Sequence, residues 1–141
     1  MTKDIMLRIS GVQFPDGEEN SEEMEVITSA ATLKKDGRHY IKYDEVQEDS
    51  NEVIRNLLKI ENGSLELTRR GMTNVHMVFE KDKKSESYYD TPFGRFLVGI
   101  SATHLDVSEK EDSIDVQVKY ALEINSEYIA DCSISICANS K

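Results

Sequence analysis

From Ile114 to Ile124 the chain alternates without a break. Ile114, Val116, Val118, Tyr120, Leu122 and Ile124 take every second place, and Asp115, Gln117, Lys119, Ala121 and Glu123 fill the places between. A repeat of two is the period of a β-strand with one buried face. Asn125-Ser126 supplies turn chemistry. Beyond it Tyr128, Ala130, Cys132, Ile134, Ile136 and Ala138 share a face again. Two such strands joined by a short turn predict a long hairpin.

The same pattern runs through the rest. Ile5, Leu7 and Ile9 alternate with Met6, Arg8 and Ser10. Residues 24–34 are rich in Val, Ile and Thr, and the hairpin signal Asp36-Gly37 leads into HYIKYDEV at 39–46. Asn62-Gly63 marks another turn, from which Ser64 to Arg70 departs with Leu65 and Leu67 on one face. Val75, Met77 and Phe79 define a further strand. Phe96 to Thr103 is apolar on both faces, which predicts cover on both sides or an intermolecular contact. Residues 50–63 read two ways. Ser50 can cap a helix with Val53, Ile54, Leu57 and Leu58 on one face and Gly63 at its end. They can equally form the first arm of a hairpin about Asn62-Gly63, and the hairpin context favours the strand.

Eight to ten short strands with tight turns predict an all-β protein. Successive tight turns make successive strands neighbours, so the expected architecture is a closed antiparallel up-and-down barrel. Closure removes exposed edges, and a barrel of this size is packed solid or holds one small ligand. No repeat, proline-rich linker or low-complexity segment divides residues 1–141, so one domain is expected. At 141 residues a chain buries roughly 68% of its unfolded surface, enough for a core without metals or disulfides.

Charge narrows the partners. The net charge is −10, and the densest basic stretch, Lys81 to Lys84, reads as a solvated turn. Nucleic-acid binding and anionic membranes are therefore not expected. Acidic stretches at 16–27 and 43–52 read as soluble loops, and neither has calcium-loop order. The N-terminus lacks an apolar leader core, and no apolar run approaches the roughly 20 residues of a membrane span. A cytoplasmic location is expected, with reduced thiols. Cys132 and Cys137 lie on opposite faces of a strand, roughly 17 Å apart, too far to pair.

Catalytic constellations are missing from the sequence. His39, His76 and His104 are scattered and read as surface or rim residues, and no nucleophile elbow or phosphate loop occurs. No enzyme activity, cofactor or metal is expected. Arg69 stands apart. Leu65 and Leu67 face the core, and the same parity turns Arg69 inward, while Gly71 lets the chain turn. An inward guanidinium demands a carboxylate, carbonyl oxygens or an anionic ligand. It either closes the barrel end as an internal salt bridge or anchors a carboxylate or phosphate; a strand bending outward would leave it in water. Nearby, Pro92 cannot sit inside a sheet, so Pro92-Phe93-Gly94 reads as a turn with Gly94 at positive φ. Tyr89 and Phe93 are then expected across the barrel end, as a structural plug or a flap over a ligand.

The order of Leu67, Arg69 and Gly71, a strand ending at Phe79, Tyr89 to Gly94 (Y-x-T-P-F-G), Thr103, and Tyr120 with Leu122 resembles the YwiB-like family. These are small uncharacterised proteins, mostly of Gram-positive bacteria. The resemblance spans about residues 5–136 and implies a calycin-type, lipocalin-like barrel and a cytosolic location. It implies no established activity. Two functional expectations follow. One is a barrel that takes a small amphipathic, anionic ligand, with Arg69 at the polar end and Tyr89, Phe93, Phe79, Tyr120 and Val118 around it. The other is a solid-cored interaction module that assembles as a homodimer.

Overall fold

Ten strands and no helix make up the computed structural model of the protein over its described residues, 3–15, 22–46, 52–71 and 74–140. In chain order they are β1 (Lys3–Pro15), β2 (Glu22–Lys35), β3 (Arg38–Val46), β4 (Val53–Glu61), β5 (Ser64–Arg70), β6 (Val75–Glu80), β7 (Lys84–Thr91), β8 (Gly94–Lys110), β9 (Ser113–Ile124) and β10 (Glu127–Ser140). They form one sheet in the order β6-β5-β4-β3-β2-β1-β10-β9-β8-β7, antiparallel throughout. Apart from β1 against β10, every pair is of sequence neighbours, as an up-and-down meander requires. The two edge strands, β6 and β7, come side by side as the sheet curls. The barrel therefore closes except for one seam without a ladder. That seam is pinned at its turn, where the Asp82 amide donates to the Ala102 carbonyl at 2.8 Å.

The turns follow their residues. Asp36-Gly37 and Asn125-Ser126 hold positive φ at both positions, 53° and 78°, then 52° and 67°. Mirror-image turns of this kind match the right-handed twist of the flanking strands. Gly94 takes φ of 123° behind Pro92-Phe93, as its turn demands. The segment that reads as helix or strand is the strand β4, so Val53 and Leu57 leave the core face. Ile54, Asn56, Leu58 and Ile60 occupy it instead.

Inward residues of adjacent strands stack in layers. His39, Ile60, Leu65 and Phe79 form one; Ile41, Leu58, Leu67 and Met77 the next; Tyr43, Asn56, Arg69 and Val75 a third. Across the barrel Val116, Val118, Ile136 and Ala138 are buried, as the alternation predicts. Two β-bulges reset that alternation. One falls between Ala102 and His104, which passes the inward phase from Ala102 to Leu105. The other falls between Tyr128 and Ala130 and turns Tyr128 away from the shared face of its strand, to 41% exposure. A bulge adds one residue to one strand, so a count by twos fails across it.

The apolar run in β8 finds part of its cover within the chain. Val98 and Ile100 face the core, and the outer side of Gly99 lies under the ion pair of Lys84 with Glu123, 2.6 Å. A Cβ on Gly99 would come within 3.2 Å of Lys84 Cε. Cys132 is buried and Cys137 half-buried, and neither takes part in a disulfide. No helix of the described residues is long and apolar enough to cross a membrane.

Candidate functional site

The third interior layer differs from the two beneath it. Ladder register sets Tyr43 opposite Asn56, Asn56 opposite Arg69, and Arg69 opposite Val75. Directly opposed residues project to the same side of a sheet, so Arg69 points inward with Leu65 and Leu67. Its strand ends one residue later, so the side chain emerges at the barrel mouth and stays 37% exposed. Gly71 follows. Its φ is ordinary, and its role is space: a Cβ there would press on Ile54 Cγ1 at 3.1 Å. The chain does bend at Gly71, as expected, and the glycine also permits this close approach.

Among the described residues the guanidinium has one carboxylate near it. Arg69 Nη2 lies 3.5 Å from Glu45 Oε2, whose side chain is 33% exposed. The internal salt bridge expected from the sequence therefore exists, long and partly wet, a kind of pair that adds little stability. Glu45 is also held by Asn56, whose Nδ2 donates to Oε1 at 3.1 Å. Asn56 itself is only 3% exposed and is the one buried polar residue of the core among the described residues. Its Oδ1 has no partner, and neither has the hydroxyl of Tyr89, which reaches the layer from β7. Buried polar atoms without partners are rare because each forfeits the hydrogen bonds of water.

The electrostatics bind these groups into one cluster. Burial pushes the Tyr43 hydroxyl up to about 12, helped by the Glu45 charge and opposed by Arg69. Burial likewise raises Tyr89 to about 12, again opposed by Arg69. Tyr120 sits deeper and is pushed up further by burial, by Cys132 and by Tyr89. Phe79 packs edge-on against the Tyr120 ring at 5.0 Å between centroids. Of the residues expected to surround a ligand, Arg69, Tyr89 and Tyr120 belong to this chain of contacts. Phe79 and Val118 are core, 1% and 0% exposed. Phe93 departs from expectation. It sits at the tip of the β7–β8 turn, 92% exposed, and does not lie across the barrel end. Its two-residue turn is clamped by Arg95 on Asp90 at 2.8 Å and by Arg95 over Tyr88.

Tyr43, Glu45 and Asn56 went unread in the sequence. The parity of Ile41, Tyr43 and Glu45 in HYIKYDEV carried the signal for two of them. Asn56 was hidden because a helical reading of its segment sets it off the apolar face. The acidic stretch read as loop from Tyr43 onward is strand through Val46; residues 47–51 of it lie outside the described residues, as do 16–21 of the first.

At the opposite end, polar groups pair with one another. Glu109 accepts from Lys34 at 2.9 Å and lies 3.2 Å from His39 Nε2, beside a cleft of about 250 Å³ that also touches Ile5 and Ile114. His76 and His104 are held by Glu66 and Asp106, at 2.6 and 2.7 Å. His76 and His104 are thus surface residues, while His39 turns inward at the barrel end with its Nε2 buried. Over the outer wall, a cleft of about 490 Å³ lies against Tyr120, Cys132, Thr103 and Lys119. No group of His, Cys, Asp and Glu among the described residues could hold a metal ion.

A family model described as "Domain of unknown function (DUF1934)" matches residues 7–136. The crystal structure of the ywiB protein from Bacillus subtilis superposes with a TM-score of 0.83, over 99% of this chain and 93% of that one. The two sequences are 18% identical, a level at which the likeness concerns the fold. No curated protein matches the sequence.

Proposed function

We propose that this protein, which belongs to the DUF1934 family of unknown function, is a binding protein whose barrel mouth takes a small amphipathic molecule by its anionic group. The carrying observation is the Arg69 layer. Among the described residues a guanidinium with five donors has a single carboxylate, at 3.5 Å, and two buried polar atoms beside it have no partner. Arg69 supplies the charge and a planar donor fork, suited to a carboxylate or phosphate. Tyr89 presents a neutral hydroxyl donor, kept protonated by burial. Leu67, Met77 and Tyr120 offer the apolar surface behind it. Among the described residues the site has no nucleophile paired with a base, which favours binding over catalysis.

Native mass spectrometry of gently purified protein, followed by calorimetric titration with decanoate, tests the reading. Uptake by the wild-type chain and its loss in Arg69→Met is the expected result. Absence of any bound species together with no heat of binding would overturn it.

A second reading, self-association, draws on exposed aromatic rings. Tyr88, Phe93 and Tyr128 are 65%, 92% and 41% exposed on β7, its turn and β10, where an apolar contact between copies would cover them. Light scattering over a wide concentration range separates the readings, since a strict monomer removes this one.

A further inference from the structure

We infer that the ligand of the Arg69 layer carries a hydrogen-bond donor, a hydroxyl or an amine, on the carbon next to its anionic group, and that Asn56 Oδ1 receives it. The inference rests on the anion-binding reading above and adds to it the chemistry of the neighbouring position.

Asn56 is 3% exposed, in a layer whose neighbours are Tyr43 and Arg69. Leucine has nearly the same volume and would fill the place without polar cost, so an amide here needs a use. Half of it is used. Nδ2 donates to Glu45 Oε1 at 3.1 Å. That bond fixes the orientation of the amide, since the flipped form would set Oδ1 against a carboxylate oxygen. The atom left over is a pure acceptor without a hydrogen-bond partner. Arg69 lies directly opposite in the ladder, yet its guanidinium goes to Glu45 and not to Oδ1. The chain's own donors therefore leave this acceptor open.

The charges point the same way. Arg69 and Glu45 together are neutral, so a bare anion gains Arg69 only in competition with Glu45. A molecule that brings a donor as well as an anion meets both halves of the layer. Its anionic oxygens face the guanidinium and the Tyr89 hydroxyl, and its donor faces Asn56 Oδ1 and the Glu45 carboxylate. α-Hydroxy and α-amino acids with an apolar tail have this layout.

Decanoate, α-hydroxydecanoate and α-aminodecanoate, titrated into the full chain, test it. One added bond to a buried acceptor is worth about tenfold in affinity. At least one of the two substituted acids should therefore bind about tenfold tighter than decanoate, and which of them does tells hydroxyl from amine. Asn56→Leu should erase that preference, so that neither substituted acid binds tighter than decanoate; Arg69→Met should weaken all three. Equal affinities in the wild-type protein would overturn the inference and leave the anion-binding reading standing. No binding of any of the three would overturn both. The wild-type comparison needs no variant, so a failure of Asn56→Leu to fold does not blunt it.

Discussion

The two ends of the barrel use the same kinds of side chain to opposite effect. At the His39 end Lys34 pairs with Glu109 and Arg38 meets Glu61 at 2.6 Å, while the buried His39 Nε2 lies 3.2 Å from Glu109 without an aligned hydrogen bond. His39 shares its layer with Ile60, Leu65 and Phe79, each at most 1% exposed. At the Arg69 end the polar residues are part of the interior layer itself, and two of their atoms stay unpaired. One end sets a single imidazole, next to a carboxylate, on an otherwise apolar layer. The other is a core layer left incomplete. Folding alone favours the first arrangement, because an unpaired buried polar atom costs free energy that a leucine or phenylalanine would not. The second arrangement is the kind retained where a site has a use.

The comparison can be broken at the core first. Phe79→Ala, in the apolar layer, should cost about 3–5 kcal/mol in denaturant unfolding. Val75→Ala, in the polar layer and half-buried, should cost well below that; equal losses would mean that the two layers are equally packed.

Alkaline pH comes next. Tyr43 and Tyr89 are raised from 10 to about 12 in the folded chain. The folded values exceed the unfolded ones, so the protonated rings support the fold. Their contribution is intact below about pH 10 and is lost as pH rises through about 12. Unfolding curves across that window should fall, and the Tyr43→Phe, Tyr89→Phe double variant should flatten the fall.

A smaller effect has the opposite sign. Tyr89→Phe alone should raise stability at neutral pH by about 1 kcal/mol, because it removes a buried hydroxyl without a partner. The same variant should weaken decanoate binding. Destabilisation instead would place a partner on that hydroxyl and make the two ends alike.

The smallest change belongs to the His39 end. Lys34 and His39 hold the Glu109 carboxyl below its ordinary value of 4.5. Its contribution is therefore present above about pH 4.5 and is lost as the pH drops through the lowered value. Glu109 is largely solvent-exposed, so Glu109→Gln should alter stability by no more than about 0.5 kcal/mol, less in high salt. A larger, salt-independent loss would show that this rim carries weight.

Much of this was legible along the chain. Alternation from Ile114 to Ile124 named the inward residues of β9, and parity from Leu65 placed Arg69 inside. Asp36-Gly37 and Pro92-Phe93-Gly94 announced their turns. Three features were not legible. The bulge before Ala130 moved Tyr128 outward. Phe93 was sent into solvent by the geometry of its turn. Asn56 could not be singled out while its segment read as helix or strand. In each case the missing fact was a register or a partner strand, which no local window contains.

The sequence by itself determined that this is an all-β chain, which side of each strand is buried between bulges, and that one arginine turns inward. Those are properties of period and parity, set within a few residues by the backbone's own geometry. Only the tertiary structure decided that β1 joins β10, that the seam falls between β6 and β7, and that Tyr43, Glu45, Asn56, Arg69 and Tyr89 meet at one mouth. Their meeting depends on long-range register, where each ladder fixes the next and the curl of the sheet brings its two edges together.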